Sequence, residues 1–570
     1  MKYFIFFAIF VITLHAKTYD KLEFTGEGID FLVGDFATST LYKIIGKPYP
    51  PFYTPWRDDP VFEDSEIAEY KTRLREYFNS FGYYRVEINS SLHDNYIKLN
   101  INKNDPIKVH SLKLDLSDDL KKFIPFQKGS IFQTTPFTKS KKEIERYLLE
   151  NGHPKYYLDA KAYVDIDKYE VSLSYIVDKN SSFTLGKSTI LNIDDIEKSL
   201  LKEKIAYKEG DLYDIRKLEK TYDNFYELAI FDQIKIEPKF ESNSTIAPID
   251  IELKKGKTKF LKGSIGYNTD EGARGEISWV DKNFFGNLKT FQSGIKLTQI
   301  GYEAYGIYYD PRIILPYVGR IDFEESLKYS SFRYDSFDEK TLTNRITIGK
   351  IKFNLEHYFG ILSEYSKIVN KTQNYFNQDG NYFINSFFYR LLVDKRDSKI
   401  DAKNGYYILV YLEKADKILK SELDYLKSLL ELRYIKSFDN FTLGFKSRVG
   451  FIDEDVPIFK RFFTGGSVTN RGYEYLDVGL KDSANVALGG VSLIDLMSEL
   501  RYHVSKNFSI ATFYDSSMLS LVANKFDDDF YDSYGFGIRY TTPIGPLRVD
   551  FGFPVKEKGF AFHISIGQVF

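Results

Sequence analysis

Near its end the chain changes polarity at every residue, and the polar half of that alternation carries full charges. Tyr534, Phe536, Ile538 and Tyr540 share one face of a strand whose other face holds Ser533, Gly535, Gly537 and Arg539. Leu547, Val549, Phe551 and Phe553 stand opposite Arg548, Asp550 and Gly552 in the same way. A period of two belongs to a strand with two unlike faces. A polar lumen accepts arginine and aspartate on its inner face, and a packed sandwich core does not. The pattern recurs where Phe441, Leu443, Phe445, Val449 and Phe451 oppose Thr442, Gly444, Lys446, Arg448 and Gly450. A final strand reads Phe560, Phe562, Ile564 and Ile566 and runs on to an aromatic carboxyl terminus, Phe570. The 45 Tyr and 49 Phe occur without long apolar runs, which suits a barrel with aromatic girdles. From Lys257 onward, roughly 310 residues at about 20 per strand and loop predict close to 16 strands, closed so that no edge meets lipid.

Ahead of that half the texture differs. Lys2, the apolar run Tyr3 to Leu14 and Ala16 read as a secretory signal peptide over 1–16, too short to span a bilayer as a helix. A helix followed by two strands then recurs three times. The helical stripes are Ile67, Tyr70, Leu74, Tyr77 and Phe78; Phe137, Ile144, Tyr147 and Leu148; and Ile215, Leu218, Tyr222, Phe225 and Tyr226. Each has the spacing of one buried face. Thr135-Pro136 and Asp214 are the expected helix starts. The expected organisation is tandem α+β modules over 17–103, 104–180 and 181–256, followed by an all-β barrel over 257–570.

A formal net charge of −2 argues against general nucleic-acid binding, and the absence of cysteine removes disulfides and thiolate metal sites. The sequence carries no nucleophile elbow, no zinc-protease helix and no phosphate loop, so a non-enzymatic protein without cofactor or metal is expected. The informative segment is Arg461 to Tyr475, RFFTGGSVTNRGYEY, a glycine-rich loop between barrel strands. Arg471 beside Gly472 can direct a guanidinium into the lumen, where it would need carboxylate partners on the wall.

Arg471-Gly472-Tyr473 resembles the (V/I)RG(F/Y) signature at the tip of the sixth external loop in the Omp85 superfamily, with Asn470 at the position where Val or Ile is usual. Arg461 to Gly466, Tyr308 to Ile313, Asp394 to Tyr407 (Ala402 replacing a usual proline) and Ser533 to Val555 resemble further family motifs in family order. The resemblance implies POTRA modules before a 16-stranded transmembrane barrel in the outer membrane, with the modules in the periplasm. Three modules are closest to the TamA branch, beside the related BamA family. It further implies that Arg471 pairs with Glu499 and Asp515, and that Phe570 belongs to a C-terminal signal. The first and last strands would meet at a weak seam near Ile265, Gly266, Ile566 and Gly567, with cysteines near Ile265 and Ile566 able to lock it. The implied role is insertion or export of client proteins, with a TamB-like partner and outer-membrane lipid as further contacts and no nucleic acid. Two-partner secretion of one passenger and phospholipid transport are the alternatives.

Overall fold

The computed structural model describes residues 17–29, 34–50, 57–191, 193, 195–317, 319–352, 355–373, 379–542, 545–567 and 570. The expected signal peptide at 1–16 lies outside them. The chain forms two compact units. One comprises 1–189, 205–221 and 236–251, and the other 190–204, 222–235 and 252–570, so the stretch expected as a third module contributes to both.

In the first unit, Lys21–Thr25 runs parallel to Tyr96–Asn102, which pairs antiparallel with Glu87–Leu92. The helix Ile67–Ser80 buries Tyr70, Leu74 and Phe78 at four-residue intervals, so one stripe meets Leu22, Ile97 and Leu99 from the sheet. The second module repeats the plan. Lys108–Asp115 runs parallel to Glu170–Asp178, which pairs antiparallel with Tyr157–Asp165. Its helix, Thr134–Glu150, places Ile144 and Leu148 against Val171, Leu173 and Tyr175. Full burial of one such side chain contributes about 1.5–3 kcal/mol. Thr135 and Pro136 lie inside the first helical turn and Gln133 holds the cap position, so the expected start is two residues late. Proline is tolerated there because first-turn N–H groups have no helical acceptor.

A third three-stranded sheet has the order Phe231–Pro238, Ile246–Lys255, Thr184–Leu191. Asp214 accepts from the Arg216 N–H at 2.9 Å and opens the helix Ile215–Tyr226. That helix buries Leu218, Thr221 and Phe225, while Tyr222 and Tyr226 are exposed and stack on each other. The expected stripe was therefore too wide. Aromatic side chains at i and i+4 satisfy a helical pattern equally well on the solvent side.

The second unit holds sixteen antiparallel strands in sequential order. They are β1 Lys259–Asn268, β2 Gly272–Asp281, β3 Thr290–Thr298, β4 Gly301–Leu315, β5 Gly319–Arg333, β6 Phe337–Lys352, β7 Leu355–Asn370 and β8 Gly380–Asp394. The rest are β9 Gly405–Ala415, β10 Tyr425–Phe438, β11 Phe441–Ile452, β12 Ser492–His503, β13 Phe508–Ser520, β14 Tyr531–Thr542, β15 Gly545–Pro554 and β16 Ala561–Ile566. Tyr534, Phe536, Ile538, Tyr540 and Leu547 are exposed, while Arg539, Arg548 and Asp550 are buried, so the apolar face is outward and the charged face lines the interior. Pro311 falls where the β4–β5 register shifts between Asp310 and Ile313, a place where a missing N–H breaks no ladder bond. The last strand stops at Ile566, short of the expected run to Phe570, and Gly567 takes a φ of +102°.

Candidate functional site

The connection between β11 and β12, residues 453–491, is the sixth at the end of the barrel away from Lys259, and it folds back onto the inner wall. At its tip the Arg471 side chain is fully buried. Its Nε and Nη2 donate to the two Asp515 carboxylate oxygens at 2.7 and 2.8 Å, and its own backbone N–H adds a third bond at 3.1 Å. Nη1 donates to Glu499. The guanidinium carbon lies 3.6 Å from the centre of the Phe513 ring, a cation–π contact on a residue of the same wall. The structure thus brings Arg471, Glu499 and Asp515 into one buried cluster, through β12 and β13, which pair directly.

Three more arginines join it. Arg501 Nε donates to Glu499 at 2.6 Å, and Arg539 Nη2 to the same carboxylate at 2.8 Å. Arg539 also meets Asp550 at 2.7 Å, as does Arg548 at 3.2 Å. Arg539 and Arg548 are direct cross-strand partners in β14 and β15, an arrangement of like charges that costs stability without shared counter-ions. Asp550 supplies that counter-ion. Sequence alternation had put Arg539, Arg548 and Asp550 on the polar face, but their pairings depend on register across strands and were not foreseen.

Two glycines let the loop approach the wall. A Cβ on Gly472 would lie 2.2 Å from the Ser533 Cβ, and one on Gly552 would lie 1.9 Å from the Arg471 carbonyl oxygen. Asn470 is fully buried and bonded on both sides of its amide. It donates to the Tyr531 carbonyl at 2.6 Å and accepts from the Ser533 hydroxyl at 2.6 Å. An aliphatic side chain there would leave both partners unmet, which gives Asn470 a physical role at the position where it departs from the family pattern. Tyr473 packs its ring edge-on against Tyr531 and is buried. Upstream, Lys446 donates to the Val468 carbonyl at 2.9 Å, and Thr464 to Asp495 at 2.9 Å. The loop is anchored along its length.

At the expected seam, β1 and β16 are the ends of the strand order, and among the described residues no ladder joins them. One backbone hydrogen bond crosses, from the Thr269 N–H to the Ile564 carbonyl at 3.2 Å. Ile265 is 92% exposed on the β1 edge. The register of that single bond places Tyr267, and not Ile265, opposite Ile566, because an antiparallel pair keeps the sum of its residue numbers constant. Gly266 lies within β1, and Gly567 follows the last residue of β16. Phe570 does not face outward. Its ring is buried with Ala402, Ile435 and Met497, and a Cβ at Gly444 would come within 2.9 Å of it. It rests on the inner wall, where Ala402, standing in for a usual proline, forms part of its seat.

Residues 255–570 match the Omp85 superfamily domain. The outer membrane protein assembly factor BamA of Nitratidesulfovibrio vulgaris is 22% identical over 493 residues, which is 80% of this chain and 60% of that protein. The BamA of Neorickettsia risticii is 23% identical over 469 residues, 76% of this chain and 60% of the relative. The chain therefore spans about 60% of the length of these curated relatives. Among solved structures, BamA from Haemophilus ducreyi lacking POTRA domains 1–3 superposes with a TM-score of 0.58 at 14% identity, covering 81% of this chain and 99% of that one. That likeness reaches beyond the barrel into the α+β modules, which have the POTRA fold. With its motif loop seated in the lumen of a 16-stranded barrel, the chain belongs to the Omp85 superfamily.

Proposed function

We propose that this protein inserts client β-strands into the outer membrane at the seam between β1 and β16, without enzymatic chemistry. The observation that carries this reading is the seam itself. Fifteen neighbouring strand pairs are joined by ladders, whereas among the described residues a single backbone bond, from Thr269 just after β1, reaches β16. An unpaired strand edge inside a bilayer leaves N–H and C=O groups without water or partner, so it is a template for another strand. Gly263 and Gly266 weaken β1 further, since strand glycines add no packing. The barrel sits in the outer membrane with the modules in the periplasm. On this reading the partners are unfolded clients, a TamB-like inner-membrane protein and outer-membrane lipid, and a TamA-like role follows from the three module sheets.

The test is a lock. With Tyr267→Cys and Ile566→Cys joined by oxidation, client insertion into vesicles is expected to fall to background and to return on reduction. Full insertion by the locked barrel overturns the reading. Loss of one secreted passenger, with barrel insertion untouched, would transfer the function to two-partner secretion. Altered lipid flow alone would transfer it to phospholipid transport.

A further inference from the structure

We propose that Asp270, in the turn between β1 and β2, couples docking of the sixth loop to closure of the seam. This rests on the seam reading above and adds what holds the seam shut. Three elements remote in sequence converge on that turn. From the loop, the Ser467 N–H donates to both Asp270 carboxylate oxygens at 3.0 and 3.2 Å, and the Ser467 hydroxyl donates to Oδ2 at 2.6 Å. From β16, the Ile564 carbonyl takes the Thr269 N–H. His563 stands 3.2 Å from the Thr269 hydroxyl through Nδ1, and 3.2 Å from the Arg471 carbonyl through Nε2. A single neutral tautomer satisfies both contacts, with the hydroxyl donating to Nδ1 and Nε2–H donating to the carbonyl.

The groups are well enclosed: Ser467 is 1% exposed, His563 3% and the Asp270 side chain 7%. Bonds from a hydroxyl and an amide to one carboxylate are charge-assisted, and they strengthen where water is excluded. Arg548 completes the clasp by donating to the Ser467 carbonyl at 2.6 Å, which ties the same loop residue to β15. The first hairpin is therefore held by the loop and by the last strand together. Displacing the loop removes the Ser467 bonds to Asp270 and leaves the hairpin with its contacts to Ile564 and His563 of β16. Parting the seam, conversely, removes the loop's grip on the first turn. In the clasp Asp270 is a positioning residue, since it acts through the strands it holds.

The coupling is measured without any client, so its outcome is separate from that of the insertion reading. The protein carrying Tyr267→Cys and Ile566→Cys is folded into vesicles, and disulfide formation under mild oxidant is followed together with protease cleavage of the loop. Asp270→Ala is expected to slow cross-linking about tenfold, the scale of one lost charge-assisted bond, and to raise loop cleavage in parallel. Ser467→Ala removes only the hydroxyl donor, so it should move both readouts the same way by less, and it serves if the alanine at 270 prevents folding. Glu276→Ala is the control, because Glu276 accepts from the Tyr305 hydroxyl of β4 at 2.6 Å, on the barrel wall. Unchanged cross-linking in both Asp270→Ala and Ser467→Ala overturns the proposal. So does a loosened seam with the loop still protected.

Discussion

The two α+β modules of the first unit and the lumen of the barrel bury opposite kinds of side chain. In the modules the buried set is mainly apolar, with Leu22, Leu74 and Phe78 in one core and Ile144, Leu148 and Leu173 in the other. In the barrel the largest fully buried side chains are Arg471, Arg539 and Arg548. The modules gain stability by removing carbon from water, a term that scales with area and tolerates small repacking. The lumen holds charges whose solvation is lost, so its stability depends on each one finding a partner. A similar degree of burial thus gives a forgiving core in one region and an all-or-none network in the other.

The largest test of that contrast is Glu499→Ala. This carboxylate accepts from Arg471, Arg501 and Arg539, so its removal leaves four buried guanidinium groups, Arg548 included, with Asp515 and Asp550 as their carboxylates. A loss on the order of 3–5 kcal/mol is expected, as when one partner of a buried pair is deleted. Urea unfolding of the barrel and protease release of the sixth loop both report it. A loss below about 1 kcal/mol would mean that the lumen tolerates broken pairs as easily as the modules tolerate lost methyl groups.

In the modules, Ile144→Val removes one methylene from a fully buried position. The expected cost is about 0.5–1.5 kcal/mol. Hydrogen exchange should show it confined to the second module, with barrel amides unchanged. Protection lost in the barrel as well would show that the regions are not energetically separate.

The contrast also marks what the residues themselves disclosed. Strand alternation placed Arg539, Arg548 and Asp550 inside, because a period of two decides which face a side chain takes. It could not say that Asp550 serves both arginines, since that depends on the register of β14 on β15. Asp270 and His563 lie 293 positions apart in sequence and meet only once the barrel curls round, so no local pattern announces the clasp. The inward seat of Phe570, against Ile435 and Met497, is long-range and has no local sign in the sequence. In the helices, stripe width was the weak point. Tyr222 and Tyr226 have the spacing of a core face and lie on solvent, with Thr221 and its hydroxyl taking the buried place.

The smallest test asks whether an ion pair in a module behaves like those in the lumen. Lys179 Nζ donates to both oxygens of Asp119 at 2.7 Å, and that hydrogen bond holds the Asp119 carboxyl down at about 2. Both side chains are substantially exposed, so water screens the pair. Lys179→Ala should therefore cost at most about 1 kcal/mol at neutral pH. The sign of the pH dependence follows from the lowered value. The folded carboxyl releases its proton more readily than the unfolded one, so the contribution is complete above about 4 and fades as pH falls towards about 2. Comparing wild-type and Lys179→Ala unfolding across that interval should find the curves converging at the acid end. A difference that persists unchanged at pH 2 would mean that the Lys179 stem stabilises by packing and the charge by nothing, and this pair would then be no electrostatic counterpart to those in the lumen.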